Sequence, residues 1–306
     1  MSSRLIEKMR AIEDRHAKRR GDGVGQKPRS VLSTGWAEVD AALGGGLARG
    51  GLHEWFGLVS ALRSAGRAAP TSIAPPIAGG IRDVSRGPDE NTRPGREPWR
   101  PPVGVLIHLA WRVLDADAAG RWTVWIGRRC FPYPAVSLRR GGRDRRLLER
   151  SLFVSPRTAV DRLWAIDLAL RSSAVGAVIA DGSEMNLPAT RRIQWVAKNH
   201  GALAFLVRPP WERAEPSAAH TRWLVRRSAT GGATGSANPA WTIELLRCKG
   251  VHLRMATDAW RLEWNRAACT LHLSSAMADS TGDAQATSAS GERGGMSEEE
   301  LNRRRA

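Results

Sequence analysis

The chain has 306 residues and is poor in several kinds of side chain, and each scarcity excludes something. There are three cysteines, Cys130, Cys248 and Cys269, and none lies in a C-x-x-C pair. A zinc ribbon and a disulfide scaffold are therefore not expected, and the thiols read as free side chains in a reducing compartment. No metal site is expected. No run of eighteen apolar residues occurs, so no membrane-spanning helix is expected. Near the N-terminus, Leu5-Ile6 is followed at once by charges, with no apolar stretch of the kind a signal peptide needs. A cytoplasmic location follows as the expectation. Acidic residues are outnumbered, 30 against 47 basic, which leaves a formal net charge of +17. That excess points to an acidic partner, with nucleic acid the first candidate. An anionic membrane is the weaker candidate, because no basic amphipathic helix with an exposed aromatic face is evident. Nearly all of the positive charge is arginine, and alanine is abundant, so biased genomic composition is a competing source of the same charge.

Along the chain, residues 4–20 read as a basic helix with Leu5, Met9 and Ile12 on one narrow stripe. It is either a solvated helix docked on its own domain or an arm for a partner subunit or DNA. Residues 1–30 are thus an N-terminal helix and linker, residues 31–275 a folded core, and residues 276–306 a polar tail expected to be disordered. Residues 65–102 are rich in Pro, Gly, Arg and Ser and read as a disordered insertion loop within the core. From Val103 onward strands and helices alternate. Strands are expected at 122–126, 151–154, 175–181 and 203–207. Helices are expected at 105–114, 158–172 and 188–200, the last with Pro188 in its first turn and Gly201 just past its end. This order implies an α/β fold, a mostly parallel twisted sheet with helices on both faces. After residue 220 the runs 221–227, 241–248, 259–264 and 270–273 read as strands joined by turns, an antiparallel β extension at the C-terminal side. The first pair is joined through Gly231–Gly235.

A phosphate-binding loop needs a strand, then G-x-x-x-x-G-K-[ST], then a helix; its amides cradle phosphates, its Lys reaches them and its hydroxyl holds magnesium. Leu52–Phe56 supplies the strand and Gly57 the first glycine. In register, Leu62 then stands where the second glycine belongs and Arg63 where the lysine belongs; Ser64 alone fits. A Cβ at Leu62 opposes the conformations glycine allows, and a planar guanidinium is no simple substitute for an ammonium. Ala177–Asp181 is an apolar strand ending in a carboxylate, either a magnesium-side Asp or a strand-end residue capping the next turn. A base to activate water is expected after the 122–126 strand, where the sequence has Gly127-Arg128-Arg129. Gly57, Arg63, Ser64 and Asp181 are therefore read as a vestigial nucleotide site. No catalytic residue and no cofactor is expected, with ATP and magnesium doubtful.

The order of these pieces resembles the RecA/RadA superfamily. Ser33-Thr34-Gly35, Asp40 and Leu43-Gly44-Gly45-Gly46 are similar to its "S-T-G…D-x-x-L-G-G-G" entry to the phosphate-loop strand. Within it, the resemblance is to ImuA, the RecA-like member of a mutagenesis cassette. Leu163–Arg171 resembles that group's "L-W-A-x-E-x-A-L-R" helix, and Thr190–Ala197 its "T-R-R-L-Q-L-A-A" helix. Thr221–Val225, Glu244–Gly250 and Leu262–Glu263–Trp264 are similar to "T-R-W-x-V", "E-L-L-R-C-R-G" and "L-E-W". The resemblance implies a RecA-like core and an SOS-inducible protein of the DNA damage response. Implied partners are ImuB, an inactive Y-family polymerase homologue, and an error-prone replicative-type polymerase, which together copy damaged DNA. Association with RecA or with further copies of the chain is a further implication.

In RecA-like cores the loops after the Asp-bearing strand and after the next strand line the DNA path. Here those are 181–189 and 208–220. Arg208, Trp211 and Arg213, with Arg191 and Arg192 beside them, combine cations for phosphates with a ring for stacking on single-stranded DNA. The structural alternative makes Arg191 and Arg192 plain surface residues and packs Trp211 under its loop. Of the thirteen tryptophans, Trp55, Trp122, Trp125, Trp164 and Trp195 are expected in the core. Trp241, Trp260 and Trp264 lie in the C-terminal strands, where some could anchor a partner. Two other functions remain open at this point: an active DNA-dependent ATPase with a variant phosphate loop, and a cell-division inhibitor of the SulA type.

Overall fold

The computed structural model describes residues 31–59, 99–228, 238–251, 259–265, 268 and 270–274. The expected basic helix at 4–20, the Gly231–Gly235 turn, the tail from 276, Cys269 and most of the 65–102 insertion lie outside the described residues. All described residues belong to one compact unit that ends at Ser274.

The entry segment is β1 (Val31–Leu32), α1 (Ala37–Ala42) and β2 (Leu47–Ala48), with β1 and β2 paired antiparallel. The S-T-G and Asp residues act here as a staple. Asp40 accepts the Thr34 amide at 2.8 Å, the Thr34 hydroxyl at 2.7 Å and the Ser33 hydroxyl at 2.6 Å. The chain can fold back so tightly because Gly46 sits at φ +134°, where a Cβ would lie 2.4 Å from the Leu32 carbonyl oxygen.

Next come β3 (Leu52–Phe56), β4 (Leu58–Val59), β5 (Trp99–Arg100), α2 (Val103–Asp115), β6 (Trp122–Ile126) and α3 (Arg146–Glu149). They are followed by β7 (Ser151–Val154), α4 (Ala159–Arg171), β8 (Val175–Asp181), α5 (Leu187–His200), β9 (Leu203–Arg208) and β10 (Thr221–Arg227). The chain closes with β11 (Ala240–Cys248), β12 (Ala259–Asn265) and β13 (Thr270–Leu273). Nine strands form one sheet in the order β13-β12-β11-β10-β3-β9-β8-β6-β7. From β10 to β7 every pairing is parallel; from β10 to β13 every pairing is antiparallel. The mixed sheet with its antiparallel C-terminal extension is the fold the alternation in the sequence implies.

Two apolar layers cover the sheet, and strand residues alternate between them. Leu203, Phe205 and Val207 of β9 face one layer with α1 and α2; Ala204 and Leu206 face the other with α4 and α5. A strand covered on both faces must be apolar throughout, which is why β8 and β9 are buried at every position. Helix ends follow their local signals. Thr158 caps α4 through the Asp161 amide, Asn186 caps α5 through the Ala189 amide, and Gly201 ends α5 at φ +71°.

Two expectations need correction. Trp99–Arg100, assigned to the insertion, forms a strand that pairs with Leu58–Val59, because Trp99 has a buried place to go. Among the tryptophans, Trp55 and Trp125 are core, but Trp164 is 38% and Trp195 58% exposed. Both lie on helices whose other face already packs on the sheet.

Candidate functional site

In a doubly wound sheet, ligands bind beyond the carboxyl ends of the parallel strands. Here that edge gathers Gly57 after β3, Gly127 after β6, Asp181 at the end of β8 and Arg208 at the end of β9. Most of its charged groups find partners within the chain.

Gly57 follows β3 and donates its amide to the Arg208 carbonyl at 2.8 Å. A Cβ there would lie 2.5 Å from the Arg100 carbonyl oxygen and 2.5 Å from the Trp99 ring. The glycine is thus required by close approach of β5, and an indole rests where a phosphate-loop backbone would open toward its ligand. Trp99 is buried, has the Arg129 guanidinium 4.9 Å over its ring, and meets Trp211 edge-on at 6.5 Å. Arg63 and Ser64 lie outside the described residues.

Asp181 is buried and both of its oxygens are engaged. Oδ1 accepts the Ser183 hydroxyl at 2.5 Å and the Ser183 amide at 3.0 Å. Oδ2 takes Arg129 at 3.3 Å and Arg162 at 3.9 Å. Arg162 also donates to the Ser183 carbonyl at 2.7 Å, so its position does not depend on the carboxylate alone. Two guanidiniums neutralise the charge that a magnesium ion would otherwise balance. The side chain caps its own turn through Ser183 and carries the arginine pair besides. Gly127, at φ +94°, lets the β6 end pass Asp181, with a Cβ there only 3.0 Å from the Asp181 Cβ. The neighbouring Cys130 is fully buried, and burial together with the Asp181 charge pushes its thiol well above the ordinary range, so it is no thiolate nucleophile.

The residues expected on a DNA path do not stay together. Arg208 is reassigned to the core: it is 1% exposed. Its guanidinium donates to Glu54 at 2.9 Å, Glu212 at 2.9 Å and the Met185 carbonyl at 3.0 Å. A guanidinium so buried and held on three sides is out of reach of a phosphate at the surface. Arg192 is exposed but pairs with Asp167 at 2.9 Å. Arg191 and Arg213 are exposed, and Trp211 is 37% exposed while touching Trp99.

One cluster was missed in the sequence. Glu54 is fully buried in β3 and accepts from Arg208, from the Ser217 hydroxyl at 2.7 Å and from Arg222 at 2.7 Å. Glu212 extends the cluster by accepting the Glu184 amide at 3.0 Å. Both loops after β8 and β9 are therefore tied to one buried carboxylate on the central strand. The signal available was a lone Glu inside the apolar run Leu52–Phe56, and arginines inside β9 and β10.

Sheet order and strand-end geometry define a mostly parallel α/β protein with an antiparallel flank. No protein-family model matches the chain. The chain is 26% identical to "Protein ImuA" of Caulobacter vibrioides over 236 residues. That span is 73% of this chain and 80% of the relative, and two strains of that organism give the same figures. Among solved structures it is similar to the RadB recombinase. That match has a TM-score of 0.49 and 14% identity, and covers 79% of this chain and 99% of the other. The chain is thus similar to ImuA over most of its length.

Proposed function

We propose that this chain is a non-catalytic RecA-like accessory factor of an error-prone DNA repair and translesion-synthesis complex. The observation that carries the loss of catalysis is the paired neutralisation of Asp181 by Arg129 and Arg162, beside a Gly57 covered by Trp99. For nucleotide and magnesium to bind, two guanidiniums would have to release a carboxylate and an indole would have to leave a buried seat. That disfavours the ATPase alternative. Similarity to ImuA supports the repair role and, with it, an ImuB-like polymerase homologue and a replicative-type polymerase as partners in the cytoplasm. No helix among the described residues is long and apolar enough to cross a membrane. The excess positive charge supports contact with single-stranded DNA, with Arg191, Trp211 and Arg213 the exposed members of the expected set.

The test is calorimetric titration of the full chain with magnesium and ATP, beside single-stranded DNA binding across a salt series. Absence of nucleotide binding, with DNA affinity falling steeply as salt rises, is the expected pair. Micromolar ATP binding refutes the non-catalytic reading. DNA affinity indifferent to salt refutes the phosphate contact. Loss of damage-induced mutation on deleting the gene, restored by the wild-type chain, tests the cellular role.

A further inference from the structure

α5 carries a surface that neither the strand-end site nor the sheet uses. Arg191, Trp195 and Lys198 stand at i, i+4 and i+7, so helical geometry stacks them in one stripe. All three are exposed, while Ile193, Val196 and Ala197 of the same helix face the core. The stripe forms one wall of a cavity of about 420 Å³, whose lining also includes Leu187, Ala218 and Lys249. Lys249 donates its ammonium to the Ala218 carbonyl at 2.7 Å, which fixes a third positive charge at the rim.

Three cations line this cavity and no carboxylate does. None of the three makes an ion pair among the described residues, whereas neighbouring Arg192 is held by Asp167. Burial and the adjacent Arg247 guanidinium lower the Lys249 ammonium below its ordinary range. The two neutral polar side chains in the lining are spent elsewhere. Gln194 bonds the Gly50 carbonyl and the Leu52 amide, and the Ser217 hydroxyl bonds Glu54. What remains is an apolar floor and a cationic rim, with the Gln194 amide and the Ser217 hydroxyl committed mainly to the body of the protein. Single-stranded nucleic acid is held by stacking successive bases on successive rings. A single indole lines this cavity, and its size suits one large side chain.

We propose that this cavity docks an acidic segment of a partner protein. The segment places one large apolar side chain against Trp195 and Leu187 and sets carboxylates on Arg191, Lys198 and Lys249. Binding hot spots are enriched in Trp and Arg, and both line this cavity. The proposal needs neither nucleotide nor DNA, and it takes Arg191 out of the expected DNA-contact set, leaving Trp211 and Arg213 there.

The experiment titrates the full chain into a panel of short fluorescein-labelled peptides, each with one Phe, Leu or Trp flanked by Asp and Glu, followed by anisotropy. Binding that weakens about tenfold or more on Trp195→Ala, and equally on replacing the peptide's apolar residue by Ala, is expected. The double variant Arg191→Glu/Lys198→Glu should lose the acidic peptide and gain its Lys-bearing counterpart. These side chains face solvent, so the thermal transition should not move, and recovery with the counterpart peptide excludes misfolding. The proposal is overturned if no peptide binds the wild-type chain, or if binding ignores both sets of variants. It is also overturned if an oligo-dT strand displaces the peptide and itself depends on Trp195 and Arg191, which assigns the cavity to nucleic acid.

Discussion

Replacing Glu54 by Gln should cost about 3–5 kcal/mol of folding stability. The carboxylate is fully buried and lies 2.9 Å from Arg208, which is 1% exposed, and 2.7 Å from Arg222, which is 10% exposed. Gln keeps the shape and one acceptor oxygen, so the Ser217 hydroxyl can still find a partner. The negative charge is what disappears. Two guanidiniums then remain in an interior that had one carboxylate between them, with Glu212 left to serve Arg208 alone. Charge-assisted hydrogen bonds contribute about 1.5–3 kcal/mol each, and two of them weaken together. A domain of this size has about 5–15 kcal/mol in total, so the variant should melt far below the wild type. Urea unfolding at neutral pH, read by tryptophan fluorescence, measures the difference. Replacing the whole set (Glu54→Leu, Arg208→Met and Arg222→Leu, with Glu212→Gln so that no buried carboxylate is left unpaired) should recover much of the loss, because apolar isosteres avoid the desolvation cost. A Glu54→Gln cost under about 1 kcal/mol would refute the reasoning, since it would mean that water or Glu212 balances both arginines without Glu54.

Gly57→Ala should destabilise by about 1–3 kcal/mol, because the new methyl meets the Arg100 carbonyl and the Trp99 ring; a shift in the urea midpoint checks it. Asp181→Asn should cost about 1–3 kcal/mol by leaving Arg129 and Arg162 side by side, and calorimetry should show no change in response to ATP. Acid should weaken the fold through two histidines. Burial lowers His53 to about 3 and His108 to about 4, from an ordinary 6.5. Both are neutral when folded and charge more readily when unfolded. Their stabilisation is complete above pH 6.5 and is lost as pH falls toward those folded values. Between pH 6.5 and 5 each should remove about 2 kcal/mol, and His108→Gln should flatten the urea-midpoint profile over that window.

Much of the architecture was legible because its signals are local. Pro188 and Gly201 bracket α5, and continuous apolar runs mark β8 and β9 as strands covered on both sides. The order of such elements was enough for a parallel sheet with an antiparallel flank. The site was less legible, because its chemistry depends on which distant residues meet. Arg208 reads as a loop cation beside Trp211, but it ends a central strand and turns inward to Glu54, 154 positions away in sequence. Trp195 reads as core by residue type; its place on the outer stripe of α5 makes it surface. Asp181 reads as a half-formed magnesium site. The arginines that neutralise it come from the turn after β6 and from α4, and no spacing in the sequence links them.

The short β4–β5 ladder has a consequence for how such a chain can diversify. Val59 and Trp99 are paired, so the two chain ends that flank residues 60–98 stand one strand spacing apart, about 5 Å. Closing a loop whose ends are already pinned costs only about 0.6 kcal/mol for each doubling of its length. Segments of very different size can therefore be spliced at this gate while the sheet keeps its register.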